Sequence, residues 1–349
     1  MTRFRTIPAD GPLRLAVVGA GAMGRAWLRA ICATPEVELV AVVDVAPGAA
    51  QAALDEVGIQ GVPAFRTLAE AAGSAGPQAV VDVTVPAAHL PVTLEALALG
   101  LPVLGEKPAA ATLPEAIALA EAAERAGELF MVSQNRRYDR NLAGLCRRLP
   151  ELGPLGVVTT QFFAAVHFGG FREEMAHPML LDMAIHPFDT ARMLLGAEPL
   201  TVHCEEFNPP WSWYAGAACM SASFEFPGGA RYLYQGSWAN RGRRTSWNGE
   251  WRLGGEHGSA EWDGDHPAQL FLGEAGDRAE RCQPVDVPED IAGTLDEFVR
   301  ALRTGATPSG AIRDNIRSLA MVHAAVESAR DGRPVAIGEV LARSWWPGS

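Results

Sequence analysis

Lysine is all but absent from this chain: of 29 basic residues one, Lys107, is lysine and 28 are arginine. Everywhere else a positive charge is written as arginine. An ammonium can shed its proton, and burial makes that easier, whereas a guanidinium stays charged. Lys107 is therefore a candidate for proton chemistry, against the simpler reading that one lysine escaped a compositional bias. Cysteine is also sparse. The five (Cys32, Cys146, Cys204, Cys219, Cys282) form no CxxC pair and are odd in number, which favours reduced thiols over a zinc ribbon or a disulfide framework. No apolar run reaches membrane-spanning length. There is no block of basic residues, and the formal net charge is −12, so neither nucleic acid nor an acidic membrane surface is an expected partner. The opening stretch, MTRFRTIPADGPLRLAVVGAG, lacks the apolar core and cleavage site of a signal peptide. Its expected compartment is the cytosol. No internal repeat or low-complexity linker interrupts the chain.

At 349 residues and 48% hydrophobic, the sequence is long enough for two domains with a sizeable core. The run LRLAVVGAGAMGRAWLRAICA passes from an apolar, β-branched stretch through Gly19, Ala20, Gly21, Ala22, Met23 and Gly24 into an alanine-rich helical pattern. In a dinucleotide-binding turn the first glycine makes the bend, the second lets backbone approach a pyrophosphate, and the third lets helix pack on strand. The helix N-terminus then offers N–H groups to the phosphates. The next strand pattern, VELVAVVDV, ends in Asp44. A carboxylate there accepts hydrogen bonds from ribose hydroxyls and repels a 2′-phosphate, so NAD is favoured over NADP. Further strand patterns at QAVVDVTVP, LPVLGE and ELFMVSQ alternate with helical stretches, as a parallel sheet wound on both faces requires. Ligands sit beyond the carboxyl ends of such strands. That rim should carry Glu106 and Lys107, and also TVPAAH, where Thr84 leaves a strand, Pro86 shapes the turn and His89 opens a helix.

Downstream, SQNRRYDRNLAGLCRRL leaves the last of these strands with Asn135, Arg136 and Tyr138 close behind it. Arg147 and Arg148 read as a solvated helix face. MLLDMAIHPFDTARMLLG reads as one helix in which Asp182, His186 and Asp189, at i, i+4 and i+7, share a face. Two acids and a histidine on one stripe of an otherwise apolar helix build either a site or a costly polar network. His186 as an ordinary core histidine, or Asp182 and His186 as metal ligands with His167 or His177, are the competing readings. From 156 to 273 the pattern is mainly strand, and the expected sheet carries Trp238, Trp247, Trp251, Tyr232 and Tyr234 on a face read as an oligomer surface. Two amphipathic helices close the chain, His323 in the second being structural.

GAGAMG, VVDV, TVPAAH and GEKP, in this order and spacing, together with D-x-x-x-H-x-x-D, resemble the glucose-fructose oxidoreductase, inositol dehydrogenase and rhizopine-catabolism (Gfo/Idh/MocA) family of sugar and polyol dehydrogenases. The resemblance covers nearly the whole chain and agrees with the pattern of elements, which gives an N-terminal Rossmann domain over 1–133 and, over 134–349, an α+β domain with a large open, mostly antiparallel sheet; the aromatic face of that sheet leads to the expectation of a homodimer or homotetramer. The resemblance implies NAD-dependent hydride transfer at a secondary hydroxyl of a sugar, sugar derivative or inositol. Lys107 and His186 would handle the proton, with Asp182 as companion, and Asp189 would support the helix. Gly19, Gly21, Ala22, Met23, Gly24, Asp44, Thr84, Pro86, His89, Glu106 and Asn135 would line the cofactor; Arg136, Tyr138 and His167 would meet the substrate. No metal is called for. Two other classes stay open: a redox-neutral NAD-dependent glycosidase or eliminase, and a non-catalytic protein that senses sugar or NAD.

Overall fold

A computed structural model of the chain describes residues 4–273 and 276–345. By contacts the chain forms two units, Met1–Asn135 with Pro288–Ile316, and Arg136–Val287 with Arg317–Ser349. The second half of the chain therefore gives one segment, 288–316, back to the first unit, where a single boundary after residue 133 would leave it in the second domain. Backbone pairing gives the physical reason: Val132 N–H donates to Gly310 O, Met131 bridges Ala311, and Ile7 N–H donates to Leu302 O.

In the first unit, strand and helix alternate: β1 (Leu13–Val18), α1 (Ala22–Cys32), β2 (Val37–Val43), α2 (Ala49–Val57), β3 (Ala64–Phe65), α3 (Leu68–Ala75), β4 (Ala79–Asp82), α4 (Pro86–Ala98), β5 (Val103–Gly105), α5 (Leu113–Ala126) and β6 (Phe130–Val132). The strands form one sheet in the order β3-β2-β1-β4-β5-β6, and every pair is parallel. This is the doubly wound order of dinucleotide-binding folds. β4, β5 and β6 are buried at every residue, as strands covered on both faces must be. Local chemistry agrees with the topology. Thr67 and Glu70, and Thr112 and Glu115, form reciprocal capping boxes that start α3 and α5, each satisfying two N–H groups that the helix cannot.

The second unit continues with α6 (Arg140–Arg148), β7 (Leu155–Phe163), α7 (Phe171–Glu174), α8 (Ile185–Leu195), β8 (Thr201–Phe207), β9 (Cys219–Glu225), β10 (Arg231–Ser237), β11 (Glu250–Gly255), β12 (Gly258–Trp262), β13 (Gln269–Leu272) and β14 (Arg278–Arg281). After α9 (Asp290–Thr304) come α10 (Ile312–Asp331), β15 (Val335–Ala336) and α11 (Ile337–Trp345). Nine strands form one sheet in the order β14-β13-β12-β11-β7-β10-β9-β8-β15. Only β7 and β10 run parallel, and the other pairs are antiparallel.

The aromatic face does not lie where the sequence suggested. Tyr232, Tyr234, Trp238 and Trp251 are buried, and Phe188 of α8 packs edge-on against Tyr232 and Tyr234 at centroid distances of 6.2 and 5.6 Å. Side chains alternate along a strand, and the bulky set of β10 points to the helix side. Its open counterpart holds Leu233 and Gln235, beside Val157 and Gln161 of β7. Trp247 belongs to the loop before β11 rather than to a strand. No helix among the described residues is long and apolar enough to cross a membrane.

Candidate functional site

The glycine turn of the first unit has three different constraints. Gly19 sits at φ +104, and a Cβ there would meet Val83 O at 2.7 Å; a Cβ on Gly24 would meet Gly19 O at 2.1 Å. These glycines close the turn and seat α1. Gly21, the residue before α1, has nothing within 4 Å of its Cβ position, so its side faces open space at the helix N-terminus. No acidic side chain occupies the first turn of α1, which leaves the partial positive charge there for an anion. Asp44 is held at the end of β2 by Ala20 N–H on Oδ2 and Ala46 N–H on Oδ1, both at 2.8 Å. Three apolar side chains on the loops and helix start around this turn, Met23, Val45 and Val85, are 43, 79 and 60% exposed. An anion cradle, a ribose-accepting carboxylate and an apolar rim fit a dinucleotide. Ala22 and Met23, read from the sequence as part of the turn, form the start of α1. Arg66 was not visible from sequence spacing: its Nη2 donates to Val45 O at 3.1 Å, which puts a cation beside the Asp44 turn.

On the same carboxyl rim, Lys107 follows β5 and is half-buried. Its backbone N–H donates to Glu106 Oε2 at 3.1 Å, while Glu106 Oε1 accepts from Trp27 Nε1 at 2.8 Å. Burial pushes the Glu106 carboxyl above its usual range, against the pull of the Trp27 bond and the Lys107 charge. Glu106 thus ties the lysine loop to α1 through Trp27, a residue no sequence motif marks. Thr84 donates its N–H and hydroxyl to Asp82 Oδ1 at 3.1 and 2.6 Å, and Pro86 is the first residue of α4. His89 is buried, with its ring nitrogens on the carbonyls of Pro108 and Thr84. The side chains of Thr84, His89 and Glu106 therefore hold loops together from within. Asn135 lies in a 3₁₀ turn, Asn135–Arg137, and its Nδ2 donates to Asp290 Oδ1.

In the second unit the expected single helix has two parts. Met179–Met183 is a π-helical turn, with Ala184 N–H reaching back to Met179 O at 2.9 Å, and α8 follows from Ile185. The wider turn changes the phase of Asp182 relative to His186, so the one-face argument at i, i+4 no longer applies to that pair. Asp182 instead accepts from Arg172 Nε at 2.8 Å, and the Arg172 guanidinium lies over the Phe171 and Phe168 rings at 4.8 and 5.6 Å. His186 is buried and borders a cleft with Arg136, Thr190, Trp247 and Trp251. Arg136 Nη1 bonds Trp247 O at 2.7 Å and also Asn248 Oδ1, and its guanidinium lies 5.9 Å from the Trp247 ring centre. Tyr138 is half-buried.

Asp189 takes a different part. It receives both arms of Arg137 at 2.6 Å and the Ser318 hydroxyl at 2.6 Å, which anchors α8 within the unit. His167 is exposed and stacks on Trp213 at 3.8 Å and 19°. His177 pairs instead with Glu206 at 2.6 Å, on strand β8, which the sequence reading overlooked. Among the described residues no three His, Cys, Asp or Glu side chains gather as a metal would need.

Comparison with known proteins extends this picture. Over 344 residues the chain is 29% identical to the uncharacterized protein y4oX of Sinorhizobium fredii, covering 93% of this chain and 95% of that one. It is 28% identical to D-apiose dehydrogenase of Paraburkholderia graminis (94% and 91% covered) and 25% identical to inositol 2-dehydrogenase of Rhizobium meliloti (93% and 99%). Among solved structures, an oxidoreductase from Agrobacterium radiobacter in complex with NAD+, L-tartaric acid and magnesium superposes with a TM-score of 0.85 at 21% identity, covering 94% of this chain and 99% of that one. An aldose-aldose oxidoreductase from Caulobacter crescentus gives 0.81 at 22%, with 93% and 99% covered. Residues 13–134 match the oxidoreductase family's NAD-binding Rossmann fold and residues 151–337 its C-terminal alpha/beta domain, and the chain therefore belongs to the Gfo/Idh/MocA oxidoreductase family.

Proposed function

We propose that this protein is an NAD-dependent dehydrogenase that oxidises a secondary hydroxyl of a sugar, sugar derivative or inositol. The observation that carries the reading is the rim of the first unit, where the Gly21 opening and the fixed Asp44 carboxylate share the strand ends with the chain's single lysine. Bound dinucleotide supplies the hydride acceptor. Lys107 and His186 take the hydroxyl proton between them. A cationic Lys107 also stabilises the developing alkoxide. Asp182, with Arg172 on its carboxylate, orients the substrate, and Arg136, Tyr138 and His167 contribute contacts to it.

Asp44 favours NAD because a 2′-phosphate would meet its charge, and Arg66 at the neighbouring turn makes the choice a measurable one. Relatives named for inositol and apiose support a polyol or sugar. The five free cysteines suit a reducing cytosol, and the uncovered face of the nine-stranded sheet suits a homodimer or homotetramer. Sugars and cyclitols are screened for reduced-nicotinamide absorbance with NAD and NADP in parallel, and the best pair is repeated with Lys107→Arg. That variant keeps charge and loses easy deprotonation, so kcat should fall by about 10²- to 10³-fold with NADH affinity intact. Near-normal turnover would refute the role.

A further inference from the structure

His89 is 2% exposed and begins the second turn of α4. Its Nδ1 lies 2.8 Å from Pro108 O and its Nε2 3.0 Å from Thr84 O. A carbonyl oxygen only accepts. Two such contacts on one ring require a hydrogen on each nitrogen, because a neutral imidazole would turn a lone pair on one of the oxygens.

The two carbonyls belong to two different loops. Thr84 leaves β4, and Pro108 follows Lys107 after β5, strands that pair at Val81 and Leu104. Asp82, fully buried at the end of β4, lies within electrostatic reach of the ring and accepts from Thr84 N–H and Oγ1 and from Thr93 Oγ1. Glu106 of the neighbouring loop also interacts with the charge of the ring. Asp82 and Glu106 both feel the His89 charge, which draws their carboxyls down against the larger upward push of burial.

We propose that His89 is a positioning residue, a doubly protonated clasp that joins the cofactor-side turn at Thr84 to the loop carrying Lys107 and so sets where the lysine amine stands. The proposal rests on the proposed role of Lys107. Neither the family assignment nor the sequence motif gives this ring such a task, since the motif read it as a cofactor contact. A side-chain amide at position 89 sends both its hydrogens from one nitrogen, so it does not reproduce the span of a ring that reaches the two carbonyls from separate atoms on opposite edges. A displaced lysine loop should then cost kcat, where misplacements on the order of 1 Å are worth about 100-fold.

Because Lys107 is the only lysine, reductive ¹³C-methylation reports its side chain by a single lysine resonance, with the α-amino signal resolved by its own shift. The test compares the NADH complexes of the native protein and His89→Gln by that signal, by the ¹⁵N spectrum of the histidine rings, and by kcat on the best polyol. We expect the ring spectrum to show a hydrogen on each His89 nitrogen, the methyl-lysine resonance to shift in His89→Gln, and kcat to fall about 10- to 100-fold with NADH affinity unchanged. A bare ring nitrogen at His89, or an unmoved lysine signal with undiminished kcat, would overturn the clasp. Should His89→Gln not fold, the native ¹⁵N spectrum decides, assigned through the backbone. Retained turnover in Lys107→Met would instead overturn the proposed function, a result the ring spectrum does not depend on.

Discussion

Gly21 and Gly24 lie in one motif, and the structure predicts opposite phenotypes for the same added methyl. In Gly24→Ala the new Cβ would stand 2.1 Å from Gly19 O, where ordinary contact begins at 3.4 Å. The obstacle is backbone on both sides, so no side chain can swing away and α1 must lift from the turn. Overpacking of this kind costs about 1 to 3 kcal/mol, and the backbone clash argues for the upper end, a large share of the roughly 5 to 15 kcal/mol that holds a domain folded. In Gly21→Ala the methyl meets nothing within 4 Å, and the residue has φ −68, which any L-residue adopts. Loss of a preferred cap residue and the stiffer unfolded chain oppose each other, leaving apo stability within about 1 kcal/mol of native. The methyl does, however, enter the space where backbone would meet a pyrophosphate. Weakened charge-assisted hydrogen bonds there are worth about 1.5 to 3 kcal/mol, or roughly 10- to 100-fold in Kd. Thermal melts of the apo proteins and NADH titration by fluorescence separate the effects. A Gly21→Ala protein that binds NADH as tightly as native, or a Gly24→Ala protein that melts with it, would refute the assignment of these glycines.

Two further outcomes follow from the second unit. Arg137 and Asp189 have side chains only 9 and 2% exposed, so Arg137→Met leaves a buried carboxylate short of its main partner and should lower stability by about 3 kcal/mol in urea unfolding; an unchanged midpoint would mean that Arg192, 3.8 Å away, already suffices. On the open face of the nine-stranded sheet, Val157 and Leu233 are 39 and 41% exposed. Light scattering should find a dimer or tetramer that Leu233→Asp converts to monomer with its melting temperature kept, and a native monomer would discard the interface.

The first unit was legible because its signals are local. A glycine turn, an apolar strand and a capping residue each act within a few residues, so Gly19 to Gly24, Asp44 and the parallel alternation could be read directly. Partnerships across the chain could not. Trp27 reaches Glu106, Arg66 reaches the Val45 carbonyl, and Pro288–Ile316 returns to the first unit; nothing in periodicity or spacing encodes such pairings. In β10 Tyr232 and Tyr234 alternate with Leu233 and Gln235, yet alternation says only that two faces differ. Which face a helix covers depends on α8, many residues earlier, and Phe188 decided it for Tyr232 and Tyr234.

The helix motif shows where such reasoning fails for a physical cause. Spacing of i, i+4 and i+7 implies a shared face only if every residue advances by the same angle. One i→i+5 bond, Ala184 to Met179, inserts a residue into the turn and ends that uniformity between Asp182 and His186. Such turns forgo regular α-helical hydrogen bonding and are found often at functional sites. Here its result is a division of labour that a uniform helix would not give: Asp182 is turned to Arg172 and its aromatic neighbours, while His186 keeps the cleft with Arg136 and Trp247. Asp189, one turn on and in undisturbed α geometry, is left to bind Arg137 and Ser318 and so fix the helix that presents His186. The two acids of a single motif thus serve different ends, one toward the proposed substrate and one toward the scaffold, and the π turn that carries Asp182 and ends before His186 is what separates them.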